Sequence, residues 1–418
     1  MNNSKKHLRE LALRVQEISA LPIQSKRYLQ WKSLNDLKMI KPMIYTRDYS
    51  WDMVTNGDEL TTLLEDDYYR ELELRLLRII FIWENFKIDN IVEPVFYCPV
   101  MIDNLTPIKY KVATSIRQGT EHTSRRNIVT KTAKKYIRQI FSEDDIDRVI
   151  PMPTIIHDKD DSSYERISEI FEGILEVRKK GLVRFSFCPW DDLLKLFGIE
   201  EGMLDFYLNP DLMHMAMKRY VDVYMETLRQ YENAGIIHNN NGNELVGTGG
   251  LGYNSDFTEK PYYGIKANQS WGFCADQILT AVSPKLQEEF AIGHEIRWME
   301  KFGLTYYGCC ECLDNKINLL KKFKNLRKIS VSPFSNMEKT MEMIGKNYVV
   351  SLKPNPAILA GENWDMEVSR KEIVNACMLA GKYGCNIEII MKTMITLNNQ
   401  PMRLRHWCRM ASEITGNI

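Results

Sequence analysis

The sequence has no long apolar run. Its densest apolar stretch, 76–83, is far shorter than the roughly 18 apolar residues that a membrane-spanning helix needs. Residues 1–10 are polar and charged, without the apolar core that signal peptides carry. These two absences predict a cytoplasmic protein with no membrane segment.

Charge of either sign is not in excess. The 418 residues include 55 Lys and Arg and 55 Asp and Glu, so the formal net charge is zero. A neutral chain lacks the broad basic field that draws proteins to nucleic acids or acidic membranes. We therefore expect neither nucleic acid nor membrane among its partners.

Two common motifs of catalysis and phosphate binding are missing. No G-x-S-x-G is present, which argues against a serine hydrolase. Residues 247–252 match G-x-G-x-x-G, but no apolar strand precedes them, no helical pattern follows, and no Lys-Ser or Lys-Thr pair comes next. We interpret this segment as a flexible turn rather than a phosphate-binding loop.

Apolar segments of strand length alternate with helical patterns along the chain. The predicted strands are 90–97, 148–155, 183–188, 235–239, 305–311, 328–332, 348–353 and 386–391. Eight such strands predict an α/β fold of the (β/α)8 TIM-barrel type, although an open doubly wound sheet accepts the same pattern.

Two regions fall outside that alternation. Residues 1–85 are expected to form a helical extension packed on the barrel, which would comprise residues 86–418. The connection 240–283 is 44 residues long, a length typical of a lid or binding loop.

The nine cysteines are an odd number, which fits free thiols in a reducing compartment. Three of them, Cys309, Cys310 and Cys312, surround Glu311 at the end of a predicted strand. Thiolates beside a carboxylate are typical of a metal site or of thiol chemistry, whereas a lone free cysteine usually fills a core. The C-C-x-C spacing lacks the second pair of a zinc ribbon.

A catalytic zinc keeps three protein ligands and one open position. Cys309 or Cys310, together with Glu311 and Cys385, is one set that could supply them.

In a barrel, the active site lies at the carboxyl ends of the strands. The polar side chains that we expect to act in catalysis there are Glu93, His238, Lys353 and Glu388. The residues expected to line the substrate pocket are Tyr307, Asn355, Asn240 and Trp271. The alternative for the charged residues is a structural network, such as Glu388 with Lys353 or Lys392.

The order of several short segments resembles the uroporphyrinogen decarboxylase superfamily. These segments are 190–198 (WDDLLKLFG), 208–213 (LNPDLM), 234–236 (AGI), 307–311 (YGCCE), 328–333 (KISVSP) and 401–407 (PMRLRHW). The resemblance extends from about residue 40 to the end of the chain and implies a (β/α)8 barrel. One branch of that superfamily decarboxylates porphyrinogens and carries an Arg-rich motif near its first strand. The comparable segment here, 41–51, holds the single arginine Arg47.

The other branch consists of corrinoid-dependent methyltransferases of anaerobes. Several bind zinc through His-x-Cys near the fifth strand and a distant Cys near the eighth. In this chain Tyr307-Gly308-Cys309 stands at the first position, and Cys385 lies in the neighbourhood of the second. The resemblance thus implies a zinc-assisted methyltransferase or demethylase acting on a small methylated substrate.

The chain has no Asp-x-His-x-x-Gly motif, so a corrinoid (cobalamin) would be supplied by a partner protein. The superfamily often forms homodimers. Two other functions stay open: a metal-free lyase that binds a small carboxylic acid through Arg47 and Lys353, and a binding protein without turnover.

Overall fold

The computed structural model describes residues 3–100, 102–103, 114–116, 134–153, 157–158 and 163–416. The strands are β1 Met43–Thr46, β2 Val95–Pro99, β3 Ile102–Asp103, β4 Thr114–Ile116, β5 Lys134–Tyr136, β6 His157–Asp158, β7 Glu176–Lys180, β8 Ser186–Phe187, β9 Trp271–Cys274, β10 Leu304–Tyr307, β11 Leu326–Val331, β12 Val349–Leu352 and β13 Asn386–Met391. No helix in these ranges is both long and apolar enough to cross a membrane.

Helices surround the strands and occupy most of the remaining chain. They are α1 Asn3–Ser19, α2 Pro22–Asn35, α3 Trp51–Val54, α4 Asp67–Asn85, α5 Glu143–Val149, α6 Ser163–Phe171, α7 Pro189–Phe197, α8 Ile199–Leu208, α9 Pro210–Asn233, α10 Pro284–Gln287, α11 Gly293–Met299, α12 Ile317–Leu320, α13 Met337–Ile344, α14 Met366–Tyr383 and α15 Met402–Ile414. A π-helical turn, Glu288–Ile292, joins α10 to α11.

Seven strands form one parallel sheet in the order β1-β13-β12-β11-β10-β9-β8. Every residue of β9, β10, β12 and β13 is buried, as expected for parallel strands covered on both faces. The α/β class is therefore confirmed. Within the described residues the strand order does not close into a ring, so the sheet itself does not establish a barrel.

Several predicted strands are placed differently. Residues 271–274, predicted inside a long loop, form strand β9, which lies between β8 and β10 in the main sheet. The predicted strand 148–155 begins in helix α5, and its residues 154–155 lie outside the described ranges. The segment 235–239 makes an isolated bridge through Ile237 instead of a strand.

Within residues 1–85, strand β1 pairs with β13 and belongs to the main sheet. Helices α1 and α4 of the same region pack on each other away from that sheet. Their apolar faces build a second, smaller core with α6 and β2, which includes Leu8, Val15, Leu72, Leu76 and Ile170. The first 85 residues thus contribute to two different cores.

Helix α2 covers the amino-terminal ends of the sheet strands. Trp31 Nε1 donates to the carbonyl of Asp89 at 2.7 Å, and Asn35 Nδ2 donates to that of Leu251 at 2.9 Å. Arg327, at the start of β11, in turn donates to the carbonyl of Asn35. The segment around residue 251 is therefore fixed at the amino edge of the sheet.

The glycine-rich segment 247–252 is packed tightly, in contrast to the flexible turn that the sequence suggested. A Cβ atom on Gly249 would lie 2.2 Å from Glu388 Oε1, and one on Gly250 would lie 2.2 Å from the Trp31 ring. Only glycine fits at such approaches. These glycines therefore allow the backbone to contact side chains of the sheet.

Candidate functional site

Two neighbouring cysteines and a lysine meet at the carboxyl edge of the sheet. Cys309 and Cys310 follow β10, and Lys392 follows β13. Lys392 Nζ lies 3.1 Å from Cys309 Sγ and 3.5 Å from Cys310 Sγ, and the two sulfur atoms are 3.6 Å apart. All three groups therefore interact directly, across a chain separation of more than 80 residues.

Lys392 and the hydrogen bond between the two thiols give Cys309 and Cys310 different pKa values. The hydrogen bond from Cys309 and, against the effect of burial, the charge of Lys392 lower the pKa of Cys310 to about 6. The same hydrogen bond raises the pKa of Cys309. Although burial lowers it, the neighbouring thiols raise the pKa of Lys392 overall. These contacts favour the thiolate at Cys310, which is the nucleophilic form of cysteine.

Glu311 lies next to this pair. Its Oε2 atom accepts the Cys309 backbone N–H at 2.7 Å, whereas its buried Oε1 atom has no hydrogen-bond partner among the described residues. Burial is the main cause that raises the pKa of Glu311 to about 7. A carboxyl group with this pKa can hold or release a proton at neutral pH.

A buried carboxyl pair lies beside the same edge. Asp276 follows β9, and Glu295 is on α11; both are almost completely buried and interact with each other. Burial, and then the neighbouring carboxyl group, raises the pKa of Asp276, and burial raises that of Glu295. Sequence reasoning missed this pair because 271–274 was interpreted as part of a loop.

The charged residues inside the sheet form a salt-bridge network. Lys328 Nζ donates to Glu388 Oε2 at 2.8 Å, and Ser351 Oγ donates to Glu388 Oε1 at 2.6 Å. Lys353 Nζ donates to Tyr306 Oη at 2.9 Å and to Ser351 Oγ at 2.5 Å. Burial lowers the pKa of both lysines, while their charges outweigh burial and lower the pKa of Glu388.

These contacts involve Lys353 and Glu388, two of the residues predicted to act in catalysis. Lys353 and Glu388 are 2% and 0% exposed, and their charged groups are held by neighbouring side chains of the sheet. The structural alternative, a network around Glu388, is therefore present, with Lys328 as its direct ion-pair partner.

Glu93 and His238 do not come together with Glu388, which lies inside the sheet. Both line a separate cavity, in which Tyr97 and Tyr253 donate to Glu93 at 3.0 and 3.2 Å. The expected convergence failed because 90–97 and 235–239 are not strands of the main sheet.

Two of the predicted pocket residues, Asn240 and Trp271, make side-chain hydrogen bonds to the backbone. Asn240 Nδ2 donates to the carbonyls of Val183 and Trp271, and its Oδ1 atom accepts the Trp271 N–H at 2.8 Å. Trp271 Nε1 donates to the carbonyl of Gly252 at 2.8 Å. Both residues therefore lie at the amino-terminal start of β8 and β9.

The other two predicted pocket residues, Tyr307 and Asn355, also contact neighbouring residues. Tyr307 is fully buried, stacks on Phe323 and accepts a hydrogen bond from Gln287. Asn355 is near the carboxyl edge, where its side chain accepts the N–H of Ala357 at the start of a 3-10 helix.

The predicted zinc ligands do not come together. Cys385 immediately precedes β13, and Lys392 immediately follows it, so Cys385 is about 20 Å of strand away from the Cys309 sulfur. No group of three His, Cys, Asp or Glu side chains suited to a metal ion occurs in the described part of the chain. The predicted set of Cys309, Cys310, Glu311 and Cys385 therefore does not fit a zinc ion.

Comparison with known proteins adds little to this geometry. No family model matches the sequence, and no curated protein sequence matches it. One solved structure with a similar fold is a methyltransferase from Methanosarcina mazei, with a TM-score of 0.48 and 11% identity over 94% of this chain and 98% of that chain. A likeness this distant carries no argument about function.

Proposed function

We propose that the chain is an enzyme that transfers a methyl group at the carboxyl edge of its sheet, with Cys310 as the nucleophile. The observation that carries the proposal is the contact of Lys392 with the adjacent thiols Cys309 and Cys310. A thiolate is a soft nucleophile suited to attack on a methyl carbon.

The bonds and protons of the proposed methyl transfer are accounted for by the substrate and by side chains of this chain, without a metal ion. The Cys310 thiolate forms a bond to the methyl carbon, and the bond from that carbon to the oxygen, nitrogen or sulfur of the substrate breaks. Protonated Glu311 gives its proton to the leaving atom. The products are S-methylated Cys310, the demethylated substrate and the Glu311 carboxylate.

The methyl group then passes to a second nucleophile, and the electron pair of the carbon–sulfur bond returns to Cys310. We propose a corrinoid on a partner protein as this acceptor, which is the acceptor that the family resemblance implies. Glu311 regains its proton from water, so the site is ready for another turnover.

The same proposal includes a (β/α)8 barrel. Asp89 donates its N–H to the Ile44 carbonyl at 2.9 Å and accepts the Ile44 N–H through its carboxylate at 2.7 Å. Asp89 therefore lies beside the free edge of β1, which supports the proposal that this part of the chain closes the ring.

The lyase alternative is less favoured by the contacts of its two cations. Arg47 donates to the carbonyls of Gly247 and Gly249, and Lys353 donates to Tyr306 and Ser351. Because both are held internally, neither is available as a ready carboxylate-binding group.

The test is methyl transfer under anaerobic conditions from a panel of methanol, methylamines, methylthiols and methoxyaromatics to free cob(I)alamin. Absorbance reports the alkylated cobalamin, and mass spectrometry of peptides reports methylation of Cys310. We expect Cys310→Ser to lower the rate by on the order of 10^3-fold or more.

The matched control is Cys312→Ser, since Cys312 belongs to the same edge but its sulfur contacts Ser335 instead of Lys392. It should keep most of the activity. Equal activity of Cys310→Ser and the unmodified protein would overturn the assignment of the nucleophile, and the absence of transfer from every donor would overturn methyl transfer.

A further inference from the structure

The cavity lined by Glu93 and His238 lies near the amino-terminal start of β9, whereas Cys310 lies at the carboxyl edge of the sheet. It has a volume of about 290 Å³ and is lined by Ser19, by Arg178 and by residues of α2, of 91–97 and of 238–262. Asn240, which borders it in sequence, is hydrogen-bonded to Trp271 at the first position of β9. The length of β9, about 10 Å, therefore separates this region from the carboxyl edge.

The cavity is rich in carboxylates and tyrosine rings. Its lining includes the carboxylates Glu93, Glu244 and Glu259 and the rings of Tyr28, Tyr97, Tyr253 and Tyr262. Tyr28 and Tyr253 meet edge to face, with ring centroids 5.1 Å apart. Such walls favour a cation, because the faces of aromatic rings carry partial negative charge.

Three rings of this cavity already face cations of the chain, and one of them is Tyr28, whose ring centroid is 5.7 Å from Lys32 Nζ. Lys180 Nζ is 4.7 Å from the Tyr97 ring centroid, and the Arg178 guanidinium is 4.1 Å from that of Tyr262. Lys180 pairs with Glu244, and Arg178 pairs with a carboxylate outside the lining. The rings therefore act as cation acceptors in this structure.

The other two carboxylates receive neutral donors. Tyr97 and Tyr253 donate their hydroxyl groups to Glu93, and Tyr28 donates to Glu259 at 2.7 Å. Among the described residues, neither carboxylate has an ion-pair partner. Arg178 lines the cavity but pairs with Glu176, and Lys32 contacts the Tyr28 hydroxyl, so neither Glu93 nor Glu259 is paired directly with a cation.

His238 supplies an independent sign of a missing ligand. It lines the cavity and is 2% exposed, yet its Nδ1 atom has no hydrogen-bond partner in the described part of the chain. A buried polar atom without a partner is costly, and a ligand with a hydroxyl or carbonyl group would satisfy it.

We propose that this cavity binds a small organic cation, an alkylammonium compound that also carries a hydroxyl or carbonyl group. The ammonium group lies between Glu93 and Glu259 and against the rings of Tyr28 and Tyr253. The polar group bonds to His238. The site is distinct from the edge at which Cys310 lies.

Isothermal titration calorimetry on the full chain tests the proposal with three probes of similar size. Choline carries the quaternary ammonium and a hydroxyl group, 3,3-dimethylbutan-1-ol is its neutral counterpart, and 3,3-dimethylbutanoate is an anion. We expect choline to bind at one site per chain and to bind at least about tenfold more tightly than either other probe.

Substitutions of the carboxylates test whether choline binds in this cavity. Glu93→Gln and, at the exposed rim, Glu259→Gln should each weaken choline binding about tenfold or more. Glu342→Gln removes an exposed carboxylate on α13 and should leave binding unchanged. Thermal unfolding of each variant shows that it is folded.

Three results would overturn the proposal: no choline binding, equal binding of the neutral alcohol, or full binding by the folded Glu93→Gln and Glu259→Gln variants together. Because the test requires no turnover, its outcome is separate from that of the methyl-transfer assay.

Discussion

At the scale of single residues, the hydrogen bond from Cys309 and the charge of Lys392 together set the chemistry of Cys310. The Lys392 ammonium group lies within 3.5 Å of both sulfur atoms, so it stabilises negative charge there without a metal ion. The sequence already placed the cysteines at a strand end. It could not show Lys392 as their partner, because that contact depends on how β10 and β13 are arranged in the sheet.

Alkylation by iodoacetamide tests this role of Lys392. Because the pKa of Cys310 is lowered to about 6, its alkylation rate should reach half its maximum near that pH, against about 8.5 for an ordinary cysteine. Lys392→Met should move the midpoint upward, and Lys392→Arg should keep most of the effect. Mass spectrometry identifies the alkylated residue; a midpoint unchanged by Lys392→Met would contradict the assignment.

The proton on Glu311 limits activity from the alkaline side. The reactive thiolate of Cys310 forms as pH rises through about 6, and the acid form of Glu311 is lost as pH rises through about 7. The methyl-transfer rate should therefore be greatest between these values. Glu311→Gln should be about 100-fold slower and show no alkaline decline. An unaltered decline in that variant would assign it to another group.

At the scale of elements, the glycine-rich segment 247–252 is the part most dependent on tertiary contacts. Arg47 donates to the carbonyls of Gly247 and Gly249, and Thr248 donates to Tyr306 at 3.0 Å. Nothing local in G-x-G-x-x-G distinguishes such a packed segment from a mobile turn, which is why the sequence led to the opposite interpretation.

Substitution of one glycine tests this packing. Gly249→Ala would place a methyl group 2.2 Å from Glu388 Oε1, so we expect it to lower the free energy of unfolding by about 1–3 kcal/mol. Gly381→Ala is the control, because α14 offers space around that position and alanine favours a helix by about 1 kcal/mol. Urea denaturation measures both; stability unchanged in Gly249→Ala would show that the segment can move aside.

The elements that the sequence predicted well are rich in apolar residues. Strands β10 to β13 were predicted near their observed positions, since each is a short run of mainly apolar, aromatic and β-branched residues with only a few polar ones. Strands β1 and β9 are absent from the predicted set because each is flanked closely by polar or turn-forming residues, such as Lys41 and Pro42 before β1 and Asn268 to Ser270 before β9. Because β1 and β9 were left out, the predicted active site was built on the segments that carry Glu93 and His238.

At the scale of the whole molecule, the positions of the cysteines argue against a structural or catalytic zinc. Cys385 bonds to the Met341 carbonyl at the amino edge, while Cys309 and Cys310 contact Lys392 at the carboxyl edge. The sheet itself therefore keeps these thiols apart.

Thermal unfolding of the full chain, with zinc or with a chelator, tests this arrangement. We expect the same Tm in both, because an ion that binds only the folded state adds about 2.7 kcal/mol at 100 times its Kd, and no such gain should occur. An increase in Tm with zinc that disappears in Cys310→Ser would contradict the metal-free site.

The glycine-rich segment also has a consequence for how the two ends of the protein influence each other. Thr248 donates to the carbonyl of Gly308, which precedes Cys309, and Tyr253 donates to Glu93 in the cavity at the other end. An added Cβ at Gly249 or Gly250 would meet side chains of the sheet or of α2, so the backbone between these two contacts is tightly packed. We therefore expect a displacement of the segment at one end to be felt at the other.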